Sequence, residues 1–70
     1  MLPLIMARSS VIKCFKYDPE KLVLFIWMSS GRGYRYFYIP PAVYEGLLAA
    51  RSKGRFYNAR IKGRYTAELL

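Results

Sequence analysis

The sequence predicts an α+β domain, a three-stranded antiparallel β-meander followed by two short helices packed on one face. Three observations point there. Between Val11 and Tyr38, apolar and aromatic runs alternate with turn residues, the pattern of strands and tight connections. A Pro40-Pro41 step closes that stretch, because proline lacks an N–H and restricts the residue before it. Beyond it, apolar residues recur at spacings of three and four. At 70 residues, 54% hydrophobic and 17% aromatic, the chain reads as one globular domain that buries only roughly 60% of its unfolded surface.

The first strand is read over Val11 to Tyr17. Lys13 and Lys16 interrupt its alternation, which suggests a bulge near Cys14. Asp18-Pro19-Glu20-Lys21 is a turn, with proline presetting φ and Asp18 free to accept a bond from the backbone just beyond it. Leu22 to Met28 is the second strand, apolar on both faces: Leu22, Leu24, Ile26 and Met28 on one, Val23, Phe25 and Trp27 on the other. Ser29 to Gly33 turns the chain back. Tyr34 to Tyr38 is the third strand, with Tyr34, Tyr36 and Tyr38 facing the core and Arg35 and Phe37 on the other side.

Pro41 suits a first helical turn, and Val43, Tyr44, Leu47 and Leu48 give the helix Ala42 to Ala50 its apolar stripe. Ser52 is a good N-cap for a second helix over Lys53 to Lys62, and Gly63 stands where a left-handed cap wants glycine. At about 100° per residue, Phe56, Tyr57 and Ile61 share an inward arc and Arg55, Asn58 and Lys62 the opposite one. Lys53 and Arg60 flank the stripe, stems down and charges out. Gly54, in the first turn, suits close approach of the two helices. Ser52-Lys53-Gly54 before a helix faintly resembles a phosphate-binding loop but lacks the full signature, and close approach of a phosphate would also suit Gly54. Residues 1–8 form a leading segment, either an added strand or a frayed end; residues 9–66 are the domain; residues 67–70 are a tail.

Charge carries the functional reading. The net charge is +8 and the pI is near 10, which favours anionic partners. Half of the 12 basic residues lie between Arg51 and Arg64, where there is no acid. A merely soluble surface usually mixes signs. Arg51, Lys53, Arg55, Arg60, Lys62 and Arg64 are therefore candidate phosphate contacts, with Asn58 among them either as a further contact or as a clamp on nearby backbone. The outer sheet face, Val23, Phe25, Trp27 and Phe37 with Arg35, is the second candidate surface. It reads as a stacking platform for bases, or as a face covered by the leading segment or by a second copy of the chain.

The same composition excludes much. With no histidine and four scattered acids, Asp18, Glu20, Glu45 and Glu68, there is no zinc site of Cys and His, no carboxylate pair and no histidine base. No enzymatic activity, cofactor or small-molecule substrate is expected. Cys14 stands alone and reads as a small buried hydrophobe. The leading MLPLIMA is too short to span a bilayer and lacks a basic flank before it, so no membrane association and a cytoplasmic location are expected.

A set of residues in order and at spacing resembles the KTSC domain, found alone or C-terminal to some lysyl-tRNA synthetases. They are Ser9-Ser10 and Ile12; Tyr17-Asp18-Pro19; Leu22, Leu24, Gly31, Tyr34 and Tyr36; Pro40, Val43-Tyr44 and Leu47-Leu48; then Ser52-Lys53-Gly54-Arg55-Phe56-Tyr57-Asn58 and Ile61-Lys62-Gly63-Arg64-Tyr65. The similarity runs from about Ser9 to Tyr65. Val23, Phe25 and Trp27 depart from it, being bulky where a solvent face calls for polar residues. Attachment to a tRNA-charging enzyme implies a role in contacting RNA or DNA. The expectation is a small nucleic-acid-binding domain of low sequence specificity. The alternative is a protein-interaction module, homodimeric through the apolar outer sheet face.

Overall fold

A computed structural model describes residues 2–70. It holds one five-stranded antiparallel sheet in the order β1-β2-β3-β4-β5, with two helices on one face. The strands are β1 Ile5–Met6, β2 Ile12–Asp18, β3 Val23–Met28, β4 Gly33–Tyr36 and β5 Ala67–Leu69; the helices are α1 Pro41–Ala49 and α2 Lys53–Arg60. The α+β architecture and the two helices are as expected. The number of strands is not: five stand where three were expected. Both additional strands are edges, two and three residues long, too short for any alternation to show in sequence. β1 pairs with β2 through Ile5↔Phe15 and Met6↔Cys14. β5 pairs with β4 through Tyr34↔Leu69 and Tyr36↔Ala67, and Leu70 N–H donates to the Gly33 carbonyl. Ala67–Leu69 are thus a strand of the sheet, and Leu70 is tied to it by that bond. Of the leading segment, residues 5 and 6 are an added strand; Met1 lies outside the described residues.

Local chemistry explains the central meander. The β2–β3 register slips between Ile12 and Cys14, the bulge expected from the two lysines. The extra residue lets Ile12 and Phe15 both face the core while Cys14 faces away. Asp18 Oδ1 accepts from Glu20 N and Lys21 N at 3.0 and 3.3 Å, holding the turn. Leu22 then takes a left-handed conformation, φ 57°, so β3 begins one residue later than expected.

The third strand ends earlier than expected. Tyr38 also adopts a left-handed φ, 59°, and is 76% exposed, so it is not a core residue as its spacing predicted. The reversal at Tyr38 turns Ile39 inward: Ile39 is fully buried and its N–H donates to the Leu22 carbonyl. Two left-handed non-glycine residues thus flank one hydrogen bond, a local strain of order 1–3 kcal/mol each held by the burial of Ile39. Ile39 also accepts from the Tyr17 hydroxyl at 2.6 Å.

The core includes Phe15, Leu24, Ile26 and Tyr36 from the sheet, Leu47 from α1, Tyr57 from α2 and Ile61 just after it. Each fully buried side chain of this size contributes about 1.5–3 kcal/mol. Tyr44 joins it by stacking on Tyr17 at 4.5 Å between ring centres. The Tyr36 and Tyr57 hydroxyls share a 2.6 Å hydrogen bond across the sheet–helix junction. Burial first, then that bond, holds the Tyr57 hydroxyl well above its ordinary pKa.

Candidate nucleic-acid interface

Helix α2 starts where expected because Ser52 Oγ accepts from Arg55 N at 3.3 Å. It stops at Arg60, after which Ile61 N and Lys62 N both donate to the Tyr57 carbonyl and Gly63 turns left-handed at φ 76°. The inward arc is filled by Tyr57 and Ile61, with Phe56 half-buried. Arg55, Asn58 and Lys62 are exposed on the outward arc. Among the described residues Asn58 makes no side-chain hydrogen bond, so it does not clamp backbone.

The predicted cations divide into three groups. Arg51, Arg55 and Lys62 are exposed and meet no acid. Arg60 and Arg64 line an open groove of about 610 Å³ between the helices. Arg64 Nε donates to the Ala59 carbonyl at 2.7 Å, which fixes the side chain and leaves its terminal donors free. The Arg60 guanidinium lies 6.0 Å from the Phe56 ring centre. Lys53 belongs to neither group. Its ammonium donates to the carbonyls of Leu47, Leu48 and Ala50 at 3.1, 2.9 and 3.2 Å. All three of its donors cap the end of α1, so it is withdrawn from the solvent-facing set in which its helical position placed it. A lysine a few residues past a helix end is a recognised capping arrangement, and that was the available signal.

Gly54 also departs from expectation. A Cβ at Gly54 would meet Val11 Cβ and Cγ2 at 3.3 Å and Ser9 Oγ at 3.5 Å, so Gly54 packs on the segment leading into β2 and not on α1. There Ser9 Oγ accepts from Val11 N and Ile12 N. The close approach of the helices is at Gly46, where a Cβ would sit 2.6 Å from Phe56 Cζ. The first turn of α1 has neither a capping side chain nor an acid.

Arg35 is elsewhere. It lies on the outer sheet face, ion-paired with Glu68 at 2.7 Å, its guanidinium 5.9 Å from the Phe37 ring centre. That face differs from the apolar patch expected. Val23 is buried at 8% exposure, and Phe25 and Trp27 are half-buried. Lys16 Nζ lies 5.1 Å from the Phe25 ring and 5.8 Å from Trp27. The Trp27 ring lies so close over Gly33 that a Cβ there would be 2.7 Å from it, with Leu70 beside it. Leu70 lies beside Trp27, and Leu4 of the leading segment lines a pocket with Cys14 and Trp27 on this face; β1 itself lies in the sheet beside β2. Cys14 is buried here, as expected.

Among the described residues no helix is long and apolar enough to cross a membrane, and no cluster of His, Cys, Asp and Glu could hold a metal ion.

Known proteins are similar to this chain. A crystal structure of a KTSC domain protein from Yersinia pestis superposes with a TM-score of 0.92 at 30% identity, covering 100% of this chain and 99% of that one. A protein of Tsukamurella paurometabola is 42% identical over 63 residues, which are 90% of this chain and 94% of that protein. A lysine–tRNA ligase of Nostoc punctiforme is 44% identical over 68 residues, 97% of this chain. The chain spans only 12% of that ligase's length. The KTSC domain matches residues 8–65, and the chain belongs to the KTSC domain family.

Proposed function

We propose that this chain binds nucleic acid, RNA or DNA, by contacting phosphates with little sequence selectivity. The observation that carries the reading is the acid-free distribution of cations on and after α2: Arg55 and Lys62 outward, Arg60 and Arg64 at the groove, Arg51 before the helix. Lys and Arg hold phosphate oxygens and release counterions without reading bases. The interleaved aromatics do not supply base stacking on the outward arc, because Tyr57 is buried and Phe56 is directed at Gly46. Affinity without selectivity follows. The occurrence of a similar stretch within a lysine–tRNA ligase supports RNA as a partner by association.

The second reading, a homodimer or other protein complex through the outer sheet face, has less to rest on. Lys16 and the Arg35–Glu68 pair lie across that face, so docking there would have to desolvate charge.

The test is a titration of the protein with tRNA, single-stranded DNA and duplex DNA at several salt concentrations. Four phosphate contacts predict a log–log salt slope of roughly −3 to −4. Absence of binding to all three at low salt would remove the proposal.

A further inference from the structure

The groove between α1 and α2 has features that a strand-tracking surface does not require. It is concave, whereas Arg55 and Lys62 stand on the convex outward arc of α2. Its floor is apolar, with Val43 and Gly46 from α1 and Phe56 from α2; Arg60, Arg64 and Tyr65 complete the wall. None of the four acids lines it. At about 610 Å³ it falls within the range of sites for small organic ligands, roughly 300–1,000 Å³, far more than an inorganic anion needs.

Its electrostatics favour a dianion. Two arginines line it, Arg64 with its Nε held by the Ala59 carbonyl and Arg60 with its guanidinium 6.0 Å from the Phe56 ring centre. Ala42 and Val43, in the first turn of α1, also line it, and that turn lacks a capping side chain or acid. Pro41 has no N–H, and the Val43 and Tyr44 N–H groups already donate to the Pro40 carbonyl, so this turn adds the Ala42 N–H and the helix's partial positive charge to the two arginines. A bridging phosphodiester carries one negative charge. A terminal phosphate monoester carries about −1.5 to −2 near neutral pH and presents three acceptor oxygens to forked arginine donors.

On this basis, and resting on the nucleic-acid reading above, the geometry points to the groove as a site for a nucleotide bearing a phosphate monoester. The phosphate lies between Arg60, Arg64 and the start of α1, and the nucleoside lies on the floor formed by Val43, Gly46 and Phe56. The ligand is either the phosphorylated end of a strand or a free mononucleotide; both offer the same chemistry.

The experiment compares a short single-stranded oligonucleotide with a 5′-phosphate, a 3′-phosphate or hydroxyl ends, alongside nucleoside 5′-monophosphates and inorganic phosphate. Binding is followed by chemical-shift perturbation. A phosphorylated end is expected to bind at least about tenfold more tightly than the hydroxyl-ended strand, or a mononucleotide to shift Gly46 and Phe56 where inorganic phosphate does not. Arg60→Gln with Arg64→Gln should abolish that preference, whereas Arg55→Glu with Lys62→Glu should weaken all strands alike. Because Arg64→Gln also loses the Ala59 bond, Ala42→Glu provides a second check. An acid in the first turn of α1 suits the fold but repels a phosphate, so end preference should vanish while the melting temperature holds or rises. Equal binding of phosphorylated and hydroxyl-ended strands, with no mononucleotide binding, overturns this inference and leaves the nucleic-acid reading standing. Mononucleotide binding without strand binding does the reverse. Binding of neither overturns both.

Discussion

On the outer face of the sheet, Lys16 lies over Phe25 and Trp27, and Arg35 pairs with Glu68. On α2 and just after it, Arg55 and Lys62 meet neither an acid nor an aromatic ring among the described residues. Both regions read alike in sequence, as cations among aromatics. The difference teaches that charge count does not define a binding surface; the partners already present do. A cation over an exposed ring gains about 0.5–1 kcal/mol, and an exposed ion pair typically about 0–1 kcal/mol. Those are small energies, but they must be given up before the cation serves a ligand. The outward cations of α2 have nothing to give up but water.

The largest expected effect separates the two faces directly. Arg55→Glu with Lys62→Glu should reduce the salt slope for nucleic-acid binding by about 2, because each cation that no longer neutralises a phosphate lowers it by about 1. Lys16→Glu should leave that slope near its original value. Fluorescence anisotropy across a salt series reads both, and an equal reduction from Lys16→Glu would erase the distinction.

A smaller effect separates cations within the helical side. Lys53→Met removes the donor from the Leu48 and Ala50 carbonyls and leaves that of Leu47 with only the Ala50 N–H, and should lower unfolding stability by about 1–2 kcal/mol. Arg55→Met, at an exposed site, should stay within about 0.5 kcal/mol. Nucleic-acid affinity should move the other way, falling for Arg55→Met and holding for Lys53→Met at concentrations where the protein is folded. Urea denaturation and the binding assay together make the check.

The smallest effect concerns the bond joining sheet to helix. At neutral pH, Tyr57→Phe removes one hydrogen bond and should cost about 1 kcal/mol. Its pH dependence is more specific. The folded protein holds the Tyr57 proton more tightly than the unfolded chain does, whose tyrosines ionise near 10.0. That stabilisation is fully present below pH 10 and is lost as pH rises toward the raised folded value. Alkaline denaturation should therefore begin above about pH 10 and be shallower in Tyr57→Phe; identical alkaline slopes would refute the coupling.

The legible parts of the fold are those written within a few residues. The Asp18 turn, the Ser52 cap, Pro41 in the first turn of α1 and the left-handed Gly63 each depend on neighbours at most four positions away, and the bulge at Lys13 shows as a break in alternation. The inward placement of Tyr57 and Ile61 follows from helical period alone. The edge strands were illegible because pairing, not composition, makes two or three residues a strand. Tyr38 kept the spacing of a core residue but not the conformation, because burying Ile39 and reaching the Leu22 carbonyl outweighed continuing the strand. Of the candidate interface, the outward position of Arg55, Asn58 and Lys62 was legible. The engagement of Lys53 and Arg64 with carbonyls was not, because helical position places a side chain's stem without saying which acceptor its head reaches.

By itself, the sequence determined a basic α+β domain of this family, its central meander, its two helices, and an acid-free run of cations. Those properties rest on composition, period and local hydrogen bonding. Only the tertiary structure decided which cations are free. Arg35 and Glu68 are 33 positions apart and meet because β5 returns beside β4. Arg60 and Arg64 share a groove because Gly46 lets Phe56 approach α1. Charge is a property of residues, but its availability depends on distances between chain segments, and folding sets those distances.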